Sequence, residues 1–63
     1  MYQIKNTIED KLIHTFENAN ELIDFTRKIV IENEDFDFSI LGMSDAIEYI
    51  NDYCDNLELI TNN

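Results

Sequence analysis

Apolar and polar residues alternate over Tyr2-Gln3-Ile4-Lys5, the period of a strand with one face buried. Leu12-Ile13-His14-Thr15-Phe16 is rich in strand formers, and period two puts Leu12, His14 and Phe16 on one face. Residues 6–11 between them are polar apart from Ile8, which predicts a β-hairpin; with no Asn-Gly or Asp-Gly pair, the turn type stays open. The period then changes. Ala19, Leu22, Ile23, Thr26, Ile29 and Val30 recur at steps of three and four, with Glu21, Asp24, Arg27 and Lys28 on the opposite side. Asn18 suits the N-cap and Glu21, three residues on, completes a capping box, so a helix is predicted over residues 19–32.

Asn33-Glu34-Asp35 interrupts that pattern. Phe36, Phe38 and Ile40 alternate with Asp37 and Ser39, which predicts a short edge strand with Asp35 and Asp37 facing outward. A loop anchored by the two Phe side chains fits the same residues. Ser44 is a good N-cap and Asp45 suits the positive end of a helix. Ala46, Ile47, Ile50, Tyr53, Cys54 and Leu57 then form the apolar stripe of a second helix, predicted over residues 45–56. Residues 57–61 are β-prone and suit a last strand. The predicted order is β-β-α-(β)-α-β: an α+β single domain over residues 1–63, with an N-terminal hairpin and two amphipathic helices on a short antiparallel sheet.

Composition narrows the functional classes. A chain of 63 residues is one small domain that buries only about 60% of its unfolded surface, so a partner would help it. Hydrophobic content of 44% with seven aromatic residues is too high for a disordered acidic tail. One Cys forms no internal disulfide and has no companions for a zinc site. No apolar run spans a membrane, residues 1–11 do not read as a signal peptide, and a reducing cytoplasm is the expected compartment. One His, one Cys and one Gly supply no nucleophile–base pair and no phosphate-cradling loop, so no enzyme and no cofactor is expected.

Charge adds the functional signal. The net charge is -10, which argues against direct binding of nucleic acid or an anionic membrane. Residues 1–31 are nearly neutral, with five acids against Lys5, Lys11, Arg27 and Lys28. Residues 32–63 hold nine acids and no base. Asp45, Glu48, Asp52 and Asp55 follow i, i+3, i+7, i+10, an arc of about 80° and a span of about 15 Å on a helix. Glu34, Asp35 and Asp37 widen this patch if the preceding segment folds beside it, and Tyr49 at its edge offers a hydroxyl to a partner.

A charged run is ordinarily a solvated face. Two features favour a function here. Ordinary surface helices mix Lys with Glu, because like charges at i,i+3 and i,i+4 repel. Asp52 and Asp55 also sit toward the negative end of the helix dipole. The other candidates are weaker. Asp35, Asp37 and Ser39 match the start of a calcium-binding loop, but Ile40 stands where Gly is needed and Ala46 where Glu is needed, so no metal site is assigned. The Gly42-Met43-Ser44-Asp45 run lacks the Asp-Ser-Leu of an acyl carrier protein. His14 reads as a buried or boundary residue beside Leu12 and Phe16, and Cys54 as a small core residue.

In its length, its many Ile, Asn, Asp and Glu residues, its lack of Pro and Trp and its concentrated acidity, the chain resembles small phage and mobile-element inhibitors of the DNA-mimic type, which include anti-CRISPR and anti-restriction proteins. That resemblance implies a basic nucleic-acid-binding protein of a bacterial host as partner, blocked by steric occlusion. The alternative class is a small homodimeric structural or regulatory module whose acidity only keeps it soluble, paired through the hairpin edge.

Overall fold

The computed structural model describes residues 1–61. It contains β1 (Tyr2–Asn6), β2 (Lys11–Phe16), α1 (Ala19–Glu32), α2 (Met43–Tyr53) and β3 (Leu57–Thr61). The strands form one antiparallel sheet in the order β2-β1-β3, and both helices lie on one of its faces. This is the α+β arrangement that the hydrophobic pattern predicts.

Asn6 makes the hairpin turn. Its Oδ1 accepts from the N–H groups of Ile8 (2.9 Å) and Glu9 (3.0 Å), while Asp10 takes the left-handed conformation that short polar side chains tolerate. One detail overturns the face assignment of β2. Ile4 lies opposite His14 but Lys5 lies opposite Leu12, so Ile13 is the extra residue of a β-bulge. A one-residue slip exchanges faces. Phe16 and His14 stay on the helix side with Tyr2 and Ile4, and Leu12 moves to the open face with Lys5.

α1 begins and ends where its caps dictate. Asn18 Oδ1 accepts from Glu21 N–H at 3.1 Å, and Glu21 reaches back to accept from Glu17 N–H at 2.9 Å. At the other end Glu34 N–H donates to Ile31 O and Asp35 N–H to Val30 O, the paired bonds of a Schellman motif. α2 starts two residues before its predicted start. Gly42, not Ser44, is its N-cap, and Asp45 at the third helical position accepts from Leu41 N–H at 2.9 Å. It also stops at Tyr53 rather than 56, because residues 54–57 turn the chain (Leu57 N–H to Cys54 O, 3.1 Å) so that β3 can pair with β1.

Two apolar clusters hold the layers together. Ile4, Phe16, Leu22 and Ile50 join the helices to the sheet, with Tyr2, Phe25, Met43 and Leu59 around them. Val30, Ile40, Ala46, Tyr49 and Cys54 join the helices to the segment before α2, with Ile23, Ile29 and Phe38 around them. Cys54 is the buried core residue that its place on the apolar stripe suggests. Leu57 packs against both clusters, so the domain has one continuous interior.

Candidate acidic interface

Residues 33–42 decide how the acids are displayed. They form no strand. The Schellman turn at Glu34 is followed at once by a second turn (Phe38 N–H to Asp35 O, 2.9 Å), which consumes the backbone groups a sheet ladder would need. The segment is nonetheless fixed at three places. Tyr49 Oη donates to Asp35 Oδ2 at 2.5 Å and accepts from Asn33 Nδ2 at 3.1 Å. Arg27 Nε donates to Ile40 O at 2.9 Å. Asp45 holds Leu41 N–H. Phe38 closes the packing edge-on against Tyr49 and Tyr53, with ring centroids 5.0 and 4.9 Å apart.

The segment is therefore the loop of the alternative reading, lying along α2, but of its two Phe side chains only Phe38 anchors it, since Phe36 is exposed. It brings Glu34, Asp35 and Asp37 to a shallow open cleft of about 340 Å³ that also includes Phe36, Phe38 and Tyr53. Asp45, Glu48 and Asp52 fall within about 60° on α2, and Tyr49, which carries the loop, lies about 40° beyond Asp45. The helical stripe is shorter than expected. Asp55 belongs to the turn after Tyr53, so the acids of α2 itself span about 10 Å. Burial pushes the Cys54 thiol up, and the charges of Asp35 and of its chain neighbour Asp55 push it further.

Tyr49 does not stand at the edge of the patch. It is 0% exposed, and burial followed by its bond to Asp35 raises its pKa above the ordinary 10.0. Its part is to position the acidic segment from within, and its hydroxyl is not available to a partner. Asp35 is likewise half-buried and committed to Tyr49, whereas Glu34, Asp37, Glu48, Asp52 and Asp55 are exposed.

The bases of the N-terminal half do not neutralise this surface. Lys5 pairs with Asp10 at 2.5 Å, and Arg27 lies 3.7 Å from Asp24, each an acid of the same half. Lys5 also feels Glu58, its neighbour across the β1–β3 pair. Among the described residues, none of the four bases forms an ion pair with Glu34, Asp37, Asp45, Glu48, Asp52 or Asp55.

Exposed apolar side chains stand beside the acids: Phe36, expected as an anchor, and Leu41 and Ile31, to which the sequence pattern assigns no role. Phe36 is 69% exposed, Leu41 83% and Ile31 62%. Ile31 and Phe36 line a second hollow with Arg27, Val30, Phe38 and Ile40. The sequence does carry a signal for two of them. In Ile29-Val30-Ile31 and Ile40-Leu41, consecutive apolar residues cannot all face one interior. A cluster of exposed apolar side chains rimmed by charge is the usual anatomy of a protein-binding surface.

Glu34 adds a local cost. Its φ is 57°, at the Schellman position where Gly is the usual residue. Glu34→Gly is expected to raise stability by about 0.5–1 kcal/mol, or about 2–8 °C in Tm, in a thermal melt followed by circular dichroism. An unchanged or lowered Tm would mean that the left-handed turn carries no strain.

Among the described residues no group of three or more His, Cys, Asp or Glu side chains is arranged to hold a metal ion, and no helix is long and apolar enough to cross a membrane. No family model matches the chain, and neither any curated protein nor any solved structure matches it.

Proposed function

We propose that the chain is a non-enzymatic inhibitor that occupies the basic nucleic-acid-binding groove of a bacterial host defence or nucleic-acid enzyme, as a DNA mimic does, in the host cytoplasm. The observation that carries this reading is the anchored 33–42 segment. Four side-chain hydrogen bonds, one of them from Arg27, fix this segment beside the acidic face of α2, and residues 32–63 themselves contain no base. A solvated face needs no such fixation. A docking surface gains from it, because carboxylates held before binding lose less freedom on binding. The strained Glu34 supports the same reading: a carboxylate kept where glycine fits better is a local rule broken at a useful place.

Affinity would come from two sources. Glu34, Asp37, Glu48 and Asp52 would meet Lys and Arg of the groove, speeding encounter and fixing orientation. Phe36, Leu41 and Ile31 would supply apolar anchors, which nucleic acid lacks at the same place.

The test is capture of binding proteins from a bacterial lysate on the immobilised chain, followed by competition with labelled duplex DNA or RNA for the captured protein. The expected result is a nucleic-acid-binding protein that the chain displaces from nucleic acid, with affinity falling at least tenfold between about 50 and 500 mM NaCl, because exposed charges are screened. A captured protein that binds chain and nucleic acid together, at equal strength in both salts, would overturn the proposal.

A further inference from the structure

We infer that two copies of this chain associate antiparallel through β2, extending the three-stranded sheet to six strands in the order β3-β1-β2-β2-β1-β3. The inference is independent of the acidic face, which lies with α2 at the far side of the sheet, over β3. β2 has β1 on one side and no strand of the described residues on the other. Residues 11–15 of this strand are all exposed, and Leu12 and Ile13 are 53% and 42% exposed respectively. An edge strand with open backbone groups and β-prone apolar residues is a template for pairing.

Charge identifies the occupant. Each copy carries -10, so most faces of two copies repel one another. β2 is the exception: it holds no carboxylate, Lys11 is its single charge, and Glu17 follows it directly. Antiparallel pairing about a two-fold axis near His14 brings Lys11 of one copy toward Glu17 of the other, once on each side. The opposite edge, β3, holds Glu58 and follows Asp55, so pairing there would set carboxylates against carboxylates. The groove beside β2 is mixed: His14, Phe16, Phe25 and Ile29 line it together with Glu21, Asp24, Glu32 and Lys28 of α1, so the favourable charge lies in the strand itself and its Lys11–Glu17 pairs.

The association is weak. The bulge at Ile13 shortens the straight run of the strand, and one such strand pair buries less than the ~1,200 Å² of a stable interface.

Sedimentation velocity of the full chain from about 5 μM to 2 mM, in about 20 and 500 mM NaCl, tests it. The mass is expected to double with concentration, and to do so more readily in high salt, where repulsion between the copies is screened. That is the reverse of the salt response of the acidic face, so the two readings fail separately. Leu12→Glu and Ile13→Glu, both at exposed positions, should weaken the dimer at least tenfold with far-UV circular dichroism unchanged. Ile60→Glu, on the open sheet face but on the far strand, should leave it intact. Amide exchange of the unsubstituted chain provides a second readout, with β2 amides slowing as concentration rises while β3 amides do not. A monomer at every concentration in both salts, a dimer lost in Ile60→Glu but kept in Ile13→Glu, or equal slowing on β2 and β3 would each overturn the inference.

Discussion

Lysine at Glu34, Asp37, Glu48 and Asp52 together is expected to abolish inhibition of the captured enzyme while leaving the fold intact. All four side chains are exposed, and none holds a cap or an internal hydrogen bond. Asp45 and Asp35 are left alone because they hold Leu41 and Tyr49. Each swap changes the charge by two, so the net charge moves from -10 to -2 and self-repulsion falls. Stability should therefore hold or rise slightly, and a loss of binding cannot be blamed on unfolding. Steering by a complementary field is worth about 10- to 1,000-fold in association rate, and reversing it should weaken binding at least ~100-fold. Surface plasmon resonance with the captured enzyme reads this directly, the loss falling mainly on the association rate. Glu9→Lys, in the hairpin loop, is the control and should change little. If the four-fold variant binds within about threefold of the unsubstituted chain, charge is not what the partner recognises.

The sequence made some of this legible and hid the rest for physical reasons. α1 was readable to its last residue because its period, its N-cap Asn18 and the break at Asn33 all agree. The hairpin was readable from alternation, but the bulge at Ile13 was not, since the bulge leaves composition unchanged and alters only which face Leu12 takes. The alternation of Phe36, Phe38 and Ile40 suggested a strand, yet Phe36 points to solvent while Ile40 is buried. Two consecutive turns break the period there, and they depend on Tyr49 and Arg27, which lie far away in sequence. Tyr49 was misread for the same reason. Helical periodicity places it at the rim of the apolar face; only the segment packed over it makes it interior. The acids were visible as a list of residues, but their convergence was tertiary information.

Tyr49 is therefore the position where stability and display of the acids meet, and its loss is expected to have the largest effect on the fold. Tyr49→Ala removes a fully buried ring that touches Phe38 and Tyr53, a loss of about 3–5 kcal/mol for an aromatic residue of this kind. A domain of 63 residues has about 3–9 kcal/mol in total, so the variant should lose at least about a third of its stability and melt far lower by circular dichroism. Tyr49→Phe separates packing from the hydroxyl. It keeps the ring but leaves the half-buried Asp35 carboxylate and the Asn33 amide without their shared partner, a cost of about 1–3 kcal/mol. It should fold with a lowered Tm, and it should lose affinity for the captured enzyme beyond what its folded fraction explains, because the 33–37 acids are no longer fixed. The pH response carries the same signature. Burial and Asp35 raise the Tyr49 pKa above 10.0, so its contribution is fully present below pH 10 and is lost as pH climbs through the folded value. Cys54, raised above 9.0 mainly by burial, adds a loss that begins near pH 9. Urea midpoints in the unsubstituted chain should hold from pH 8 to about 9 and then fall toward pH 11, with the loss above pH 10 smaller in Tyr49→Phe. Equal slopes in the two proteins would show that the hydroxyl is not held as the geometry describes, and the anchored acidic segment would lose its main support.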